Sequence, residues 1–113
     1  MDDCIFCRIA GGAIPSDLVL EDGDFVAFRD IHPVAREHVL VAPREHIVSL
    51  NELDQGHAGK GDALLWFIVR VAEKLGVKES GYRVLTNVGP DAGQEVQHLH
   101  FHVLGGEDLG DFR

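Results

Sequence analysis

The sequence is poor in basic residues and contains no long apolar run. Ten Lys and Arg residues stand against nineteen Asp and Glu, which gives a formal net charge of −9. Because a nucleic-acid polymer is bound through a basic surface, this balance argues against such a partner, although a single nucleotide is not excluded. No apolar segment approaches the roughly 18 residues of a membrane span. The acidic start MDDC also lacks the basic and then apolar pattern of a secretory signal. We therefore expect no membrane partner and a cytoplasmic location.

Cysteine is equally scarce, with two residues in the whole chain. Cys4 and Cys7 form a lone C-x-x-C, a spacing that indicates a zinc half-site, a redox pair or a coincidence. The redox interpretation is weak because no strand precedes the motif as part of a βαβ unit. A zinc site would need two further ligands. The spacing alone leaves these alternatives open.

The length and composition predict one globular domain over residues 1–113, large enough to bury a core. Strands clustered around one principal helix, without regular βαβ alternation, favour an α+β class with a mainly antiparallel sheet. Turn signals and hydrophobic periodicity predict eight elements. They are a short helix Asp3–Ala10, strands Leu18–Glu21, Phe25–Arg29 and Glu37–Ala42, a short helix Ser49–Leu53, a long helix His57–Leu75, and strands Tyr82–Thr86 and Val96–Leu104.

The long helix has more apolar surface than one core-facing stripe requires. Its 3.6-residue period is carried by a buried stripe of Leu64, Ile68, Val71, Ala72 and Leu75. Trp66, Phe67 and Val69 widen the apolar surface beyond that stripe. We interpret the extra surface as a homodimer contact, with ordinary core packing as the alternative.

The segment QHLHFHV, residues 97–103, places His98, His100 and His102 at alternate positions. Alternation at period two predicts a strand that turns the three imidazoles to one side and the apolar residues to the core. Packing gives little reason for three histidines in register, so the face is more consistent with chemistry than with a polar surface strand. One candidate chemistry is a metal site completed by His38, His46 or a carboxylate. The other is nucleophilic attack by His100 on phosphorus, which splits one displacement into two easier ones.

The loop NVGPDAGQEV, residues 87–96, lies directly before the histidines. It supplies Asn87, Gln94 and backbone N–H groups, neutral donors suited to phosphate oxygens. The loop is neither a Walker loop nor a dinucleotide fingerprint, so the ATPase and Rossmann alternatives fail. Phosphoryl or nucleotidyl transfer is therefore favoured over a zinc hydrolase.

The stretch HLHFHVL resembles the motif that names the histidine triad, or HIT, superfamily, and the likeness extends over nearly the whole chain. CIFCRIAGGAIP, FVAFRDIHPVAREHVLVAPREHI and GYRVLTNVGPDAGQEV are similar to the corresponding parts of its Hint branch. The resemblance implies a HIT-like α+β fold, a five-stranded antiparallel sheet with one long and one or two short helices, and a homodimer that joins two sheets. It further implies hydrolysis or transfer of nucleoside monophosphates from purine nucleoside phosphoramidates or adenylates.

By the same resemblance, His100 is the nucleophile, His98 and His102 flank it, and His38 is a fourth histidine of the site. Asp30 resembles the carboxylate that accepts the ribose hydroxyls; its alternative role is to cap a turn. The phosphate or leaving group would be held by Asn87, Gly93, Gln94 and Val96, and the base by Phe6, Phe28 and Ile31, for which core packing is an equal explanation.

Bacterial relatives that carry two cysteines imply a structural zinc ion on Cys4, Cys7, His46 and His98. The alternative is a pair of small buried thiols. If zinc binds His98, that ring cannot shuttle protons. We expect no organic cofactor, and we treat His32 and His57 as surface residues.

Two features depart from the animal Hint pattern. Glu95 stands where those relatives carry a small hydroxyl residue, and a carboxylate beside an anionic phosphate is repelled unless it points away or is neutralised. The tail GGEDLGDFR also differs from their Trp-Pro ending. The leaving group is therefore not predicted by the resemblance.

The rival function is a nucleotide-binding regulatory module with slow, incidental hydrolysis. A zinc hydrolase is a more distant alternative.

Overall fold

Five strands form one antiparallel sheet in the computed structural model, which describes residues 3–112. The strands are β1 (Leu18–Glu21), β2 (Phe25–Arg29), β3 (Glu37–Pro43), β4 (Tyr82–Leu85) and β5 (Phe101–Gly105), in the order β1-β2-β3-β5-β4. The helices are α1 (Ile5–Ala10) and α2 (Lys60–Leu75), with 3₁₀ turns at Leu50–Glu52, Gln55–His57 and Pro90–Ala92. The predicted α+β class and the five-stranded antiparallel sheet are confirmed.

Both faces of the central strands are covered, which is why β2 and β3 are apolar without alternation. On one face, α2 packs against a core of Phe25, Ala27, Val39, Val41, Leu64, Phe67, Ile68, Val71 and Val103. On the other face lies a smaller core of Phe6, Val26, Phe28, Leu40 and Ala42. Arg44 fastens α1 over this second face, since its guanidinium donates to the carbonyls of Ala10 and Asp22. The second face is therefore covered only in part, by the short helix α1.

The long helix begins later than the periodicity predicts, at Lys60 rather than His57. Asp54 caps a separate 3₁₀ turn by accepting the N–H of Gly56 at 2.9 Å. Gly59 then adopts a φ of +85°, which interrupts the helical backbone before Lys60. Phe67 is predicted to widen the apolar surface of the helix beyond its core-facing stripe. It belongs to the core instead, so this part of the prediction is wrong. Leu65 and Trp66 remain 60% and 66% exposed.

The histidine segment is only partly a strand, because β5 begins at Phe101 rather than at Val96. Residues 96–98 form bends, and the Leu99 N–H donates to the Ile47 carbonyl outside the ladder. Smaller differences occur at other ends: α1 begins at Ile5 with Cys4 as its N-cap, β3 extends to Pro43, and β4 ends at Leu85. The short helix expected at Ser49–Leu53 is a 3₁₀ turn capped by the Ser49 side chain. Within residues 3–112, none of the helices combines the length and apolar character needed to traverse a bilayer.

Candidate active site

A cavity of about 820 Å³ opens on the α1 face of the sheet. It is bounded by α1, by the end of β2 with the turn after it, and by the loop that precedes β5. The structure brings eleven of the residues singled out from the sequence to this cavity: Phe6, Phe28, Asp30, Ile31, Asn87, Gly93, Gln94, Glu95, Val96, His100 and His102. Phe6 and Phe28 are at once cavity wall and core, whereas Ile31 is 86% exposed and lies at the rim.

His100 is held in one orientation and one tautomer. Its Nδ1 lies 2.7 Å from the carbonyl oxygen of His98, and because a carbonyl can only accept, Nδ1 carries the hydrogen. The neutral ring therefore keeps its lone pair on Nε2. Phe6 contacts the ring edge-on, with centroids 4.9 Å apart, and the Thr86 hydroxyl donates to the His100 carbonyl at 2.6 Å. The ring is 8% exposed and lines the cavity.

His102 and His38 are linked in a chain of hydrogen bonds that fixes both tautomers. The backbone N–H of Val34 donates to His38 Nδ1 at 3.1 Å, so the hydrogen of neutral His38 is on Nε2. That Nε2–H donates to His102 Nδ1 at 2.9 Å, which leaves the hydrogen of His102 on its own Nε2. Burial lowers the pKa of His38 although the charge of Asp30 opposes the shift. Burial, reinforced by the charges of His100 and His38, lowers the pKa of His102 to about 4. Both rings are thus neutral hydrogen-bond donors at neutral pH.

Asp30 has two kinds of contact. One carboxylate oxygen accepts the His32 N–H at 2.8 Å, the turn-capping role weighed from the sequence. The other lies 3.4 Å from His38 Nε2. Since the residue also lines the cavity, capping a turn does not prevent it from accepting hydrogen bonds from a ligand.

The loop before β5 uses most of its donors internally. The Gln94 amide donates to the carbonyls of Val48 and Val96 at 2.8 and 3.1 Å, and its oxygen accepts the Gly89 N–H at 3.0 Å. The Gly93 N–H donates to the Pro90 carbonyl. The sequence resemblance assigns the Gln94 side chain to phosphate. In the structure this side chain stabilises the loop instead. Within residues 3–112, no acceptor bonds the N–H groups of Glu95 and Val96, both on the cavity wall.

A second group of side chains lies beside the cavity: Cys4, Cys7, His46 and His98, here called the thiol–histidine cluster. Its four ligand atoms lie within 4.8 Å of one another and could hold a metal ion. Cys4 Sγ is 3.3 Å from His98 Nδ1, and Cys7 Sγ is 3.2 Å from His46 Nδ1. A tetrahedral zinc ion with ordinary bond lengths separates sulfur and nitrogen ligands by roughly 3.6 Å. The donor types and spacing therefore fit zinc.

His98 is oriented for this cluster and not for the cavity. Its Nε2–H donates to the Pro43 carbonyl at 2.8 Å, which leaves the Nδ1 lone pair facing the thiols. The side chain is fully buried and absent from the cavity wall. The expectation that three imidazoles form one exposed face is therefore corrected: the bend at residues 96–98 turns His98 to a different site from His100 and His102.

Burial raises the pKa of the Cys7 thiol to about 11, and its hydrogen bond with Cys4 adds to the shift. A bound cation reverses this effect because it stabilises thiolates directly. The cluster also adjoins the surroundings of His100. Phe6 lies between the two cysteines in sequence and contacts the rings of both His98 and His100.

The cavity wall includes residues that the sequence did not single out: Ile5, Ile9, Ile14, Pro15, Ser16, Asp17, Arg29 and Leu40. The i, i+4 spacing of Ile5 and Ile9 on α1 was an available signal for an apolar wall. No comparable signal marks the segment 14–17, which reaches the cavity through the tertiary fold. His32 is exposed, as expected, whereas His57 is half-buried between Asp54 and Glu45.

Comparison with known proteins gives concordant results. A sequence profile described as the HIT domain matches residues 11–109. The purine nucleoside phosphoramidase of Escherichia coli strain K12 is 38% identical over 109 residues, which cover 96% of this chain and 92% of that protein. A histidine triad protein from Clostridium difficile is 42% identical, with a TM-score of 0.95 over 100% of this chain and 98% of the other. A HIT family hydrolase from Clostridium thermocellum is also 42% identical, with a TM-score of 0.94 over 99% and 97%. Sequence and fold are thus shared along nearly the whole length.

Proposed function

This chain belongs to the HIT domain family, and from that membership we propose that it hydrolyses purine nucleoside phosphoramidates or adenylates through a nucleotidyl intermediate on His100. The observation that carries the proposal is the 2.7 Å bond from His100 Nδ1 to the His98 carbonyl. It reserves the Nε2 lone pair of a cavity-lining imidazole for attack. The relative named as a purine nucleoside phosphoramidase supports the substrate class.

In the first step, His100 Nε2 attacks the α-phosphorus, a P–N(His) bond forms, and the bond to the leaving group breaks. A departing amine takes up one proton from solvent. In the second step, water attacks the same phosphorus, the P–N(His) bond breaks, and the nucleoside monophosphate leaves with release of one proton. His100 recovers its lone pair, so the balance is hydrolysis of one bond by one water molecule.

The neutral ring of His102, which lines the cavity, acts as a donor in both steps. His102 carries its hydrogen on Nε2, and His38 fixes that tautomer from the other side. A neutral donor beside the phosphate stabilises the negative charge that grows on its oxygens in the transition state. We assign further phosphate contacts to the Asn87 side chain and to the N–H groups of Glu95 and Val96.

The nucleoside is assigned to the other wall of the cavity. Phe28 and Ile31 flank the base, together with Phe6, and Asp30 accepts the ribose hydroxyls with its carboxylate. Gln94 and Gly93 shape the loop and do not contact the phosphate through their amide hydrogens, which are already bonded.

We assign zinc to the thiol–histidine cluster as a structural ion that, when bound, cross-links the start of α1 to the segment after β3 and to the segment before β5. Four protein ligands leave no open position, so the ion takes no part in the reaction. Metal analysis of the purified protein should give about one zinc per chain.

We also propose that the domain, residues 1–113, acts as a homodimer in the cytoplasm. Leu65 and Trp66 are exposed on α2, and Val84 is exposed on the edge strand β4. These surfaces suit a contact that extends the sheet across two copies. Sedimentation should give twice the chain mass, and Trp66→Asp should shift it to the monomer.

The test of the function is hydrolysis of an adenosine 5′-phosphoramidate, followed by release of AMP. His100→Ala should lose at least about a thousandfold in kcat, whereas AMP binding measured by calorimetry should persist. His32→Ala, which removes an exposed histidine outside the cavity, is the matched control and should retain full activity. A His100→Ala protein that hydrolyses at the wild-type rate would contradict the proposal. Absence of hydrolysis in the wild-type protein, with nucleotide binding intact, would favour the regulatory module instead.

A further inference from the structure

The charged groups on the cavity wall are unevenly neutralised. They are Asp17, Arg29, Asp30 and Glu95. Arg29 contacts the carboxylates of Glu37 at 2.5 Å and of Asp17 at 3.5 Å, so its charge is already compensated. Asp30 contacts His38 and the His32 N–H. Glu95 is the exception, because in the described part of the chain no cation or N–H group lies within bonding distance of its carboxylate.

The position of Glu95 separates it from the nucleoside wall. Phe28, Asp30 and Ile31 come from the end of β2 and the turn after it, whereas Glu95 belongs to the loop before β5 with Asn87 and Val96. Under the proposed function, that loop faces the phosphate. A leaving group attached to the phosphate, outside the nucleoside slot, therefore passes the exposed Glu95 side chain on its way to solvent.

We propose that Glu95 makes this enzyme select substrates whose leaving group carries a positive charge. The inference rests on the proposed function and names the substrate class within it: nucleoside 5′-phosphoramidates of amines that bear a second, cationic group. An unpaired carboxylate attracts a cation that departs past it and repels an anion. The same charge also disfavours substrates whose leaving group is itself a phosphate or carboxylate, because both are anionic.

The size of the effect follows from exposure. A charge pair about 6 Å apart at a wet surface changes a rate or affinity by several-fold, not by orders of magnitude. We therefore expect kcat/KM for a cationic leaving group to exceed that for an anionic one by about tenfold, with a neutral leaving group between them. Because exposed charges are screened by salt, 0.5 M NaCl should reduce the ratio to about threefold or less.

The experiment uses three adenosine 5′-phosphoramidates of equal chain length. Their leaving amines are butylamine, 1,4-diaminobutane and 4-aminobutanoate, so the second group is neutral, cationic or anionic. Four carbons place that group far enough from the P–N bond to leave its intrinsic reactivity similar. For each compound, kcat/KM is measured in the wild-type protein and in variants, and the result is the cation-to-anion ratio.

Glu95→Gln should bring the ratio to within about twofold of unity, and Glu95→Lys should invert it. Glu79→Gln, which removes an exposed carboxylate outside the cavity, changes the net charge equally and should keep the wild-type ratio. A wild-type ratio near unity, or a ratio that persists in Glu95→Gln, would overturn the role of Glu95 while hydrolysis itself stands. Failure of the wild-type protein to hydrolyse any of the three compounds would instead count against the proposed function.

Discussion

Among the described residues, two groups of side chains have ligand atoms close enough to share a metal ion. One is the thiol–histidine cluster; the other is Asp30, His38 and His102, here called the carboxylate–histidine cluster. Distances alone do not distinguish the two clusters. They are distinguished by the hydrogen bond that the other ring nitrogen of each buried histidine makes, because this bond determines which nitrogen has a free lone pair.

In the thiol–histidine cluster, His98 Nε2 donates to the Pro43 carbonyl, and the Nδ1 lone pair faces the sulfurs. In the carboxylate–histidine cluster, His38 Nδ1 accepts from the Val34 N–H, so the Nε2 atom that faces Asp30 and His102 carries a hydrogen. A protonated nitrogen cannot bind a metal ion. The hydrogen bonds of the first cluster are thus compatible with a bound metal ion, whereas the second cluster presents N–H groups where a metal ion needs lone pairs.

The largest effect is expected for a substitution that removes a ligand from the thiol–histidine cluster. Cys7→Ser should abolish metal binding and lower the free energy of unfolding by about 3 kcal/mol or more, because a bound structural metal contributes directly to folding. Asp30→Asn, the matched change in the other cluster, should leave the metal content at that of the wild-type protein. Metal analysis and urea denaturation of the two variants check this, and loss of metal in Asp30→Asn would contradict the comparison.

Replacement of His38 removes one member of the carboxylate–histidine cluster. His38→Gln should lower kcat/KM for a phosphoramidate by about tenfold to a hundredfold, since His102 loses the partner that fixes its tautomer. Metal content should not change. Steady-state kinetics and metal analysis of one preparation test both statements; a variant that lost metal and activity together would show that the clusters are not separate.

The stability of the protein should also depend on pH through His102. The unfolded chain protonates this residue near its ordinary pKa, whereas the folded protein holds the pKa at about 4, mainly because the ring is buried. Between these values the unfolded state binds more protons, so the free energy of unfolding should fall as the pH is lowered from about 6.5 to 4, by about 1–3 kcal/mol. Denaturation at several pH values should show a shallower dependence in His102→Gln. Equal slopes in the two proteins would exclude this source.

The smallest effect is expected from the loss of a hydrogen bond to the His100 backbone. Thr86→Val removes the hydroxyl that donates to the His100 carbonyl at 2.6 Å without changing the shape of the side chain. We expect a loss of about 1 kcal/mol in unfolding free energy and a fewfold decrease in kcat. Thermal denaturation and kinetics measure the two; an unchanged protein would mean that this bond does not help to place the strand.

Sequence patterns predict some elements of this chain well and fail for the histidine segment. The 3.6-residue period of α2 and the apolar sequences of β2 and β3 predict these elements well, because burial of one or both faces determines those residue types. The alternation His98, His100, His102 predicts one common face, and here the pattern fails. A bend at residues 96–98 is stabilised by contacts with Pro43 and the cysteines, which are distant in sequence.

Gln94 shows the same limit for individual roles. A glutamine in a glycine-rich loop before the histidine segment suggests a donor to phosphate, but the Gln94 amide donates to the carbonyls of Val48 and Val96 instead. Val48 comes from a different part of the chain, so no local pattern indicates this pairing. Residue type thus predicts which groups gather at the site, whereas tertiary contacts decide which of their hydrogens remain available.

The central claim is that the Nε2 atom of His100 bonds to phosphorus during turnover. The most direct measurement is mass spectrometry of the protein quenched in acid-free denaturant while it turns over an adenosine 5′-phosphoramidate, followed by peptide mapping. The peptide that contains His100 should gain the mass of one adenylyl group, and this gain should be absent in His100→Ala. Turnover at full rate with no adduct on any histidine, or with the adduct on His102, would contradict it.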